Sequence, residues 1–203
     1  MKKITMSKYH IIWIGSILLI IICLNIIYIN RIRLEKINNK NLIETNHKLQ
    51  NKLDSLEANL KNFEDTILEI KTITRKISSL NYDIPNNNLL HLSYAIWLYS
   101  NKFNIDENLL ISIVKHESEF NKYAKSNKGC LGYFQLNPKA HKLDMNKIYD
   151  EYYQTEMACR ILLYKFHFYK NIQNVLNAYN GWVNRRNTYA DEVLSLSNIL
   201  SFG

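Results

Sequence analysis

The chain has 203 residues, enough for one modest domain with appended segments but not for two full domains. It holds only 5 glycines and 2 prolines, too few tight turns for an all-β sandwich or barrel, while its 47% hydrophobic residues exclude a wholly disordered chain. The formal net charge of +8 is spread without a basic block, which argues against a nucleic-acid groove and would suit an anionic membrane or cell-wall polymer.

The first predicted element is a membrane-spanning helix over residues 11–29. This run carries no charge, and at about 1.5 Å per residue it would span roughly 28 Å, close to the thickness of a hydrocarbon core. Trp13 and Tyr28 fall at its ends, where aromatic side chains sit at membrane interfaces. A cleaved signal peptide or lipidation at Cys23 is the alternative, but no small-residue cleavage site follows the run. We therefore expect residues 1–30 to form a cytoplasmic tail and an uncleaved signal anchor.

The second predicted element is a coiled-coil stalk over residues 31–80. Apolar residues alternate in steps of four and three for five heptads, with Asn46 and Thr74 at the two remaining core positions. An Asn at an a position fixes register in parallel dimers, so a parallel homodimer is expected. The alternative is an amphipathic helix that packs back on the following domain. The apolar positions are Leu42, Leu49, Leu53, Leu56, Leu60, Phe63, Ile67, Ile70 and Ile77.

A linker over residues 81–88 should separate this stalk from a C-terminal domain, residues 89–203. The linker contains Pro85 and three consecutive asparagines. Proline blocks helix continuation and asparagine favours turns, so the helix should end here. The composition and these patterns together predict an all-α chain.

The candidate chemistry lies in a helix that begins near Glu107, with Asp106 as its N-cap. The apolar face of this helix continues one turn further to Glu117, whereas Glu119 is rotated by about 200° and should face solvent. A carboxyl group on a buried stripe keeps its proton to higher pH, which suits a general acid. The alternative is a structural carboxylate in an ion pair, since such pairs also perturb pKa values.

Two short segments, 126–138 and 177–182, contain Gly129, Gly132 and Gly181. A chain with so few glycines places them where the backbone needs a positive φ or a close approach. Both segments are therefore predicted to be shaped loops, and both carry polar and aromatic groups able to bind a sugar.

Three motifs in this order resemble the soluble-lytic-transglycosylase (SLT) domain family. They are Glu117-Ser118-x-Phe120, then Ser126-x-x-Gly129-Cys130-x-Gly132-x-x-Gln135, then Ala178-Tyr179-Asn180-Gly181. Each motif is weak alone, but the three together are specific, and the resemblance covers roughly residues 89–193. It implies a lysozyme-like α-helical domain that cleaves peptidoglycan.

The resemblance also implies roles for single residues. Glu117 matches the catalytic acid and base of the family, and Tyr189 fits its last helix. The substrate-binding residues implied by position are Ser126, Gln135, Tyr179 and Asn180, with Tyr133 and Asn137 added where the family usually has apolar residues. Further departures from the family pattern are Cys130, Trp182 and the pair Arg185-Arg186.

The reaction implied by the resemblance is non-hydrolytic cleavage between N-acetylmuramic acid and N-acetylglucosamine, giving 1,6-anhydro ends. No cofactor is expected, and no metal either, because His116-Glu117-x-x-Phe120 lacks the second histidine of a zinc-protease helix. The alternatives are a non-enzymatic wall-binding or envelope-assembly protein and a hydrolytic muramidase.

Together with the apolar run, a peptidoglycan substrate implies a single-pass protein of the bacterial cytoplasmic membrane with its domain on the outer side. Outside the cytoplasm a Cys130–Cys159 disulfide is a further alternative.

Overall fold

The structure, a computed structural model, describes residues 8–181 and 188–202, with the side chains of 8–12 and 14 left out. Over these residues the chain forms seven helices joined by loops and no strand, and the β pairing is limited to isolated bridges at Leu131. The prediction of a helical chain is therefore confirmed for the described residues. Trp182 and the pair Arg185-Arg186 lie outside them. The helices are α1 (Lys8–Leu80), α2 (Asn86–Phe103), α3 (Glu107–Ser118), α4 (Pro138–His141), α5 (Glu151–Phe168), α6 (Ile172–Tyr179) and α7 (Tyr189–Ser201).

Two compact units divide the chain, and the first is Met1–Asn62. Its described residues belong to α1, the one described helix that is long and apolar enough to cross a membrane. Its large apolar side chains are exposed both in the apolar run of residues 17–29 and along the predicted heptad seam. In the seam, Leu42, Leu49, Leu53, Leu56 and Leu60 are between 48% and 60% exposed. The coiled coil and the parallel dimer stay predictions.

The second unit, Phe63–Gly203, includes the last turns of α1. Ile73 and Ile77 are fully buried there in the hydrophobic core. Lys76 adds an ion pair with Glu107 at 3.1 Å. Ile77 is thus not available to a partner helix, and the heptad seam that the sequence predicts up to this residue ends before it.

The connection between α1 and α2 is shorter than the predicted linker. Helix α1 ends at Leu80, Pro85 occupies the N-cap position of α2, and the asparagine run 86–88 forms its first turn. The first N–H groups of a helix have no intrahelical partner, so polar residues that are poor in a helix interior are tolerated there.

Helix α3 is the centre of the second unit. Its residues Asn108–Val114 are all buried, and Asp106 caps its N-terminus by accepting a hydrogen bond from the Asn108 N–H, as predicted. Helix α3 packs against α7 and α2, while α5 packs against α2 and α6. The helix ends where Glu119 adopts the left-handed conformation with φ of 50°, which leaves Glu117 in the last turn.

Candidate active site

Glu117 lies partly buried at the C-terminal end of α3, whereas Glu119 is exposed, as the apolar stripe predicts. The Tyr189 hydroxyl donates a hydrogen bond to Glu117 Oε1 at 2.7 Å. Burial raises the pKa of Glu117 from 4.5 to about 7, because desolvation penalises the charged form, while the Tyr189 hydrogen bond acts in the opposite direction. Desolvation is the larger effect, so near neutral pH this carboxyl group can both donate and accept a proton.

Tyr189 reaches Glu117 because α7 packs against α3, although the two residues are 72 positions apart. Its ring also lies edge-on to His116, with ring centroids 6.3 Å apart, and His116 Nδ1 is 3.7 Å from Glu192 Oε2. Burial, and next the charge of Glu117, raise the pKa of Tyr189 well above 10, so its phenol is a permanent donor. The family resemblance places Tyr189 in the last helix, but no pattern in the sequence indicates this contact with Glu117.

A cavity of about 750 Å³ opens beside Glu117. It is lined by six of the seven predicted site residues, which are Glu117, Ser126, Gln135, Asn137, Tyr179 and Asn180. Lys128, His141 and Lys165 add basic groups to its wall. Among the described lining residues Glu117 is the only acidic one, so the cavity offers one carboxyl group among neutral and basic partners.

Tyr179 is oriented differently from Tyr189. Its hydroxyl donates to the backbone oxygen of Phe134 at 2.9 Å, and in this way α6 holds the glycine-containing loop against the cavity. Asn180, the C-cap of α6, follows it on the same wall. The tyrosine hydrogen-bonded to the carboxyl group is thus Tyr189, while Tyr179 supports the loop.

The loop over residues 126–137 has the backbone that its glycines predict. Gly129 and Gly132 have φ values of 77° and 75°, and the loop closes with hydrogen bonds inside itself. Ser126 Oγ accepts from the Cys130 N–H at 3.0 Å, and Gln135 Nε2 donates to the Gly132 oxygen at 3.0 Å. Ser126 and Gln135 are therefore held in place on the cavity wall.

Gln154 of α5 stabilises this loop through buried hydrogen bonds. Its side chain is fully buried, accepts a hydrogen bond from the Phe134 N–H at 3.2 Å and donates to the Ile148 oxygen. A Cβ atom on Gly132 would clash with Gln154 Nε2. The glycine is thus required both by its φ and by the close approach of Gln154, a contact that no pattern in the sequence indicates.

Tyr133 and Asn137 take structural positions that the sequence did not indicate. Tyr133 is fully buried and does not line the cavity, and its backbone oxygen accepts from Ser118 Oγ at 2.9 Å. We therefore leave it out of the proposed substrate-binding set. Asn137 lines the cavity, but its Oδ1 is used to cap α4 through the N–H groups of Lys139 and Ala140, both at 3.1 Å.

The three cysteines are free thiols, so the Cys130–Cys159 disulfide does not form in this structure. Cys159 is buried among apolar residues, and burial raises the pKa of its thiol to about 12. Cys130 is partly exposed on the cavity wall.

The fold and the site together define a class of protein, a helical domain whose cleft carries a single protonatable carboxyl group at a helix end. Residues 95–198 match the family model described as the transglycosylase SLT domain, just over half of the chain. The chain belongs to this family, and the resemblance read from the three motifs is confirmed. The family implies lytic transglycosylase activity with peptidoglycan as substrate. No solved structure gives a significant match to the chain.

Proposed function

We propose that this protein is a membrane-anchored lytic transglycosylase that cleaves the β-1,4 bond between N-acetylmuramic acid and N-acetylglucosamine without consuming water. The observation that carries this proposal is the position of Glu117, a partly buried carboxyl group with a pKa of about 7 that lines the cavity together with Ser126 and Gln135. An acid whose pKa lies near the working pH is suited to both directions of proton transfer.

In the proposed reaction Glu117 acts first as an acid and then as a base. The protonated carboxyl donates its proton to the glycosidic oxygen, the bond to the muramoyl C1 breaks, and the substrate's own N-acetyl group stabilises the positive charge at C1. The Glu117 carboxylate then takes the proton from the muramoyl 6-hydroxyl, whose oxygen bonds to C1 and closes the 1,6-anhydro ring. Glu117 ends protonated, so the cycle needs neither water nor a second acid.

In this proposal the neighbours of Glu117 orient its carboxyl group, bind the sugars or hold the cavity wall in place. Tyr189 donates to Oε1 and limits the rotation of the carboxyl group in both protonation states. Ser126, Gln135 and Asn180 offer polar groups along the cavity wall to the sugar hydroxyls and the N-acetyl group. Tyr179 fixes the wall through the Phe134 oxygen.

The composition of the cavity wall favours this reaction over hydrolysis. Glycosidases that add water generally pair two carboxyl groups about 5–10 Å apart across the cleaved bond. Of the described residues that line the cavity, Glu117 alone is acidic. A mechanism that needs one carboxyl group agrees with this wall.

Digestion of purified peptidoglycan, with the products identified by mass spectrometry, tests the proposal. A lytic transglycosylase leaves 1,6-anhydro ends. A hydrolytic muramidase leaves reducing ends that contain one more water, and a wall-binding or assembly protein leaves the polymer intact. Either of the last two results would contradict the proposal.

We further propose that residues 11–29 anchor the protein in the cytoplasmic membrane of a bacterium with the domain outside. The apolar helix that starts α1 supports the anchor, and a peptidoglycan substrate, which lies outside the cytoplasm, supports the outward orientation of the domain.

The exposed leucines of the first unit support the proposed parallel homodimer. We expect that replacing Leu49 with Asp at a core position of the seam will convert the cross-linked dimer to monomer, since a buried charge has no partner there. Ile43, which is 70% exposed and lies off the seam, supplies the control because Ile43→Asp should leave the dimer intact. Chemical cross-linking of the detergent-solubilised chain measures both variants. Monomer in the unaltered protein, or equal loss in both variants, would contradict the dimer.

A further inference from the structure

A second cavity, of about 670 Å³, lies next to the one that contains Glu117. The two cavities share three lining residues, which are Lys128, Asn137 and Ala140. Two of these three residues are held by the capping of α4, because Asn137 Oδ1 accepts hydrogen bonds from the N–H groups of Lys139 and Ala140. The second cavity therefore adjoins the catalytic cavity along a wall whose backbone is fixed by hydrogen bonds.

The described lining of the second cavity is basic. Lys125, Lys128 and Lys139 line it, and none of its described lining residues is acidic. Its remaining wall includes Met145 and Tyr149, and the Tyr149 ring is supported by Tyr123 with ring centroids 5.3 Å apart. Three lysines beside an apolar wall suit a ligand that carries carboxylates on a short flexible chain.

We propose that this second cavity binds the carboxylates of the peptide stem attached to the muramoyl residue next to the cleaved bond. This inference rests on the proposed function, because it takes peptidoglycan as the polymer in the first cavity. The stem leaves the muramoyl ring through its lactyl group, so a stem beside Glu117 must leave the catalytic cavity within about one sugar. The shared wall at Lys128 and Asn137 lets a stem pass from the first space to the second, and the lysines of the second cavity supply the opposite charge.

The test is equilibrium binding of soluble tetrasaccharides with and without their peptide stems, measured by calorimetry on the full chain in detergent. A Glu117→Gln background keeps the sugars from being consumed. We expect the double variant Lys125→Glu/Lys139→Glu to bind the stem-bearing tetrasaccharide about tenfold more weakly, since two exposed attractions become repulsions. Its affinity for the amidase-treated, stem-free tetrasaccharide should be unchanged.

Two further double variants complete the experiment. Lys61→Glu/Lys170→Glu changes the net charge equally at exposed residues outside both cavities, and should bind both sugars as the parent does. Lys125→Gln/Lys139→Gln removes the two charges without reversing them and should weaken stem binding about threefold. It serves as the test variant if Lys125→Glu/Lys139→Glu does not fold. Equal loss on both sugars, or no loss on the stem-bearing sugar, overturns the inference. Failure of the proposed function shows separately, as a lack of anhydro ends in the digestion by the unaltered protein.

Discussion

Replacing Glu117 with Gln is expected to lower the rate of anhydro-product release about a hundredfold or more, to about one per cent of the original rate or less. The amide keeps the shape of the side chain and can still accept the Tyr189 hydrogen bond. It can neither donate a proton to the glycosidic oxygen nor accept one from the 6-hydroxyl, and general acid and base steps each contribute about 10²–10⁴ in rate. Binding of glycan strands should be retained, because the cavity wall is otherwise unaltered. Product release by mass spectrometry and co-sedimentation with peptidoglycan measure the two effects.

Glu119→Gln is the matched control for this experiment. Glu119 is two residues further along, exposed and absent from the cavity wall, so the same change of charge there should leave the rate within about twofold. A Glu117→Gln protein that keeps more than a few per cent of the turnover, or an equal loss in both variants, would refute the assignment of Glu117.

Replacing Gly132 with Ala should destabilise the C-terminal unit by about 3 kcal/mol or more. The new Cβ would clash with Gln154 Nε2, and the φ of 75° disfavours any side chain. To relieve the clash, Gln154 must move, and the Phe134 N–H and the Ile148 oxygen then lose their buried partner. Thermal unfolding should show a decrease in melting temperature of about 10 °C or more.

Gly129→Ala separates the clash from the backbone effect. Gly129 has almost the same φ, 77°, but its Cβ would have no atom within 4 Å, so only the conformational cost of about 1–2 kcal/mol applies. Equal destabilisation by the two substitutions would show that Gln154 does not support the loop. The Gly132 variant should also lose activity, because Ser126 and Gln135 are placed by the same loop.

The local features of the site followed from local patterns in the sequence. The residue type before α3 predicted its N-cap at Asp106, and the apolar stripe of α3 predicted the partly buried Glu117 and the exposed Glu119. The rarity of glycine predicted the positive φ at Gly129 and Gly132. These features depend on helix periodicity and on backbone sterics, which act over a few residues and are therefore readable from the order of residue types.

The contacts across helices did not follow from those patterns. Tyr189 reaches Glu117 over 72 positions, and Gln154 reaches Phe134 over 20, because α7 and α5 pack beside the site at angles that periodicity does not specify. Tyr133 is predicted to bind substrate from its position in the loop, but it is buried. The direction of a side chain in an irregular loop does not follow a period, so it cannot be read from the sequence. A comparison of which helix faces meet is needed to find such residues.

The end of the heptad seam shows a different limit. Ile77 continues the four-three spacing, but it packs into the core of its own domain beside Ile73. The spacing of apolar residues indicates only that one face of the helix is buried. It does not distinguish a partner helix from the chain's own domain.

The dependence of kcat/KM on pH, measured for the original protein and for Tyr189→Phe, tests the central claim about Glu117 most directly. Only the protonated carboxyl group can start the reaction, so activity should fall as pH rises through about 7, the pKa of Glu117. Tyr189→Phe removes the hydrogen bond that lowers this pKa, so its alkaline limb should move to higher pH. An alkaline limb near 4.5, or one that stays in place in Tyr189→Phe, would contradict the account.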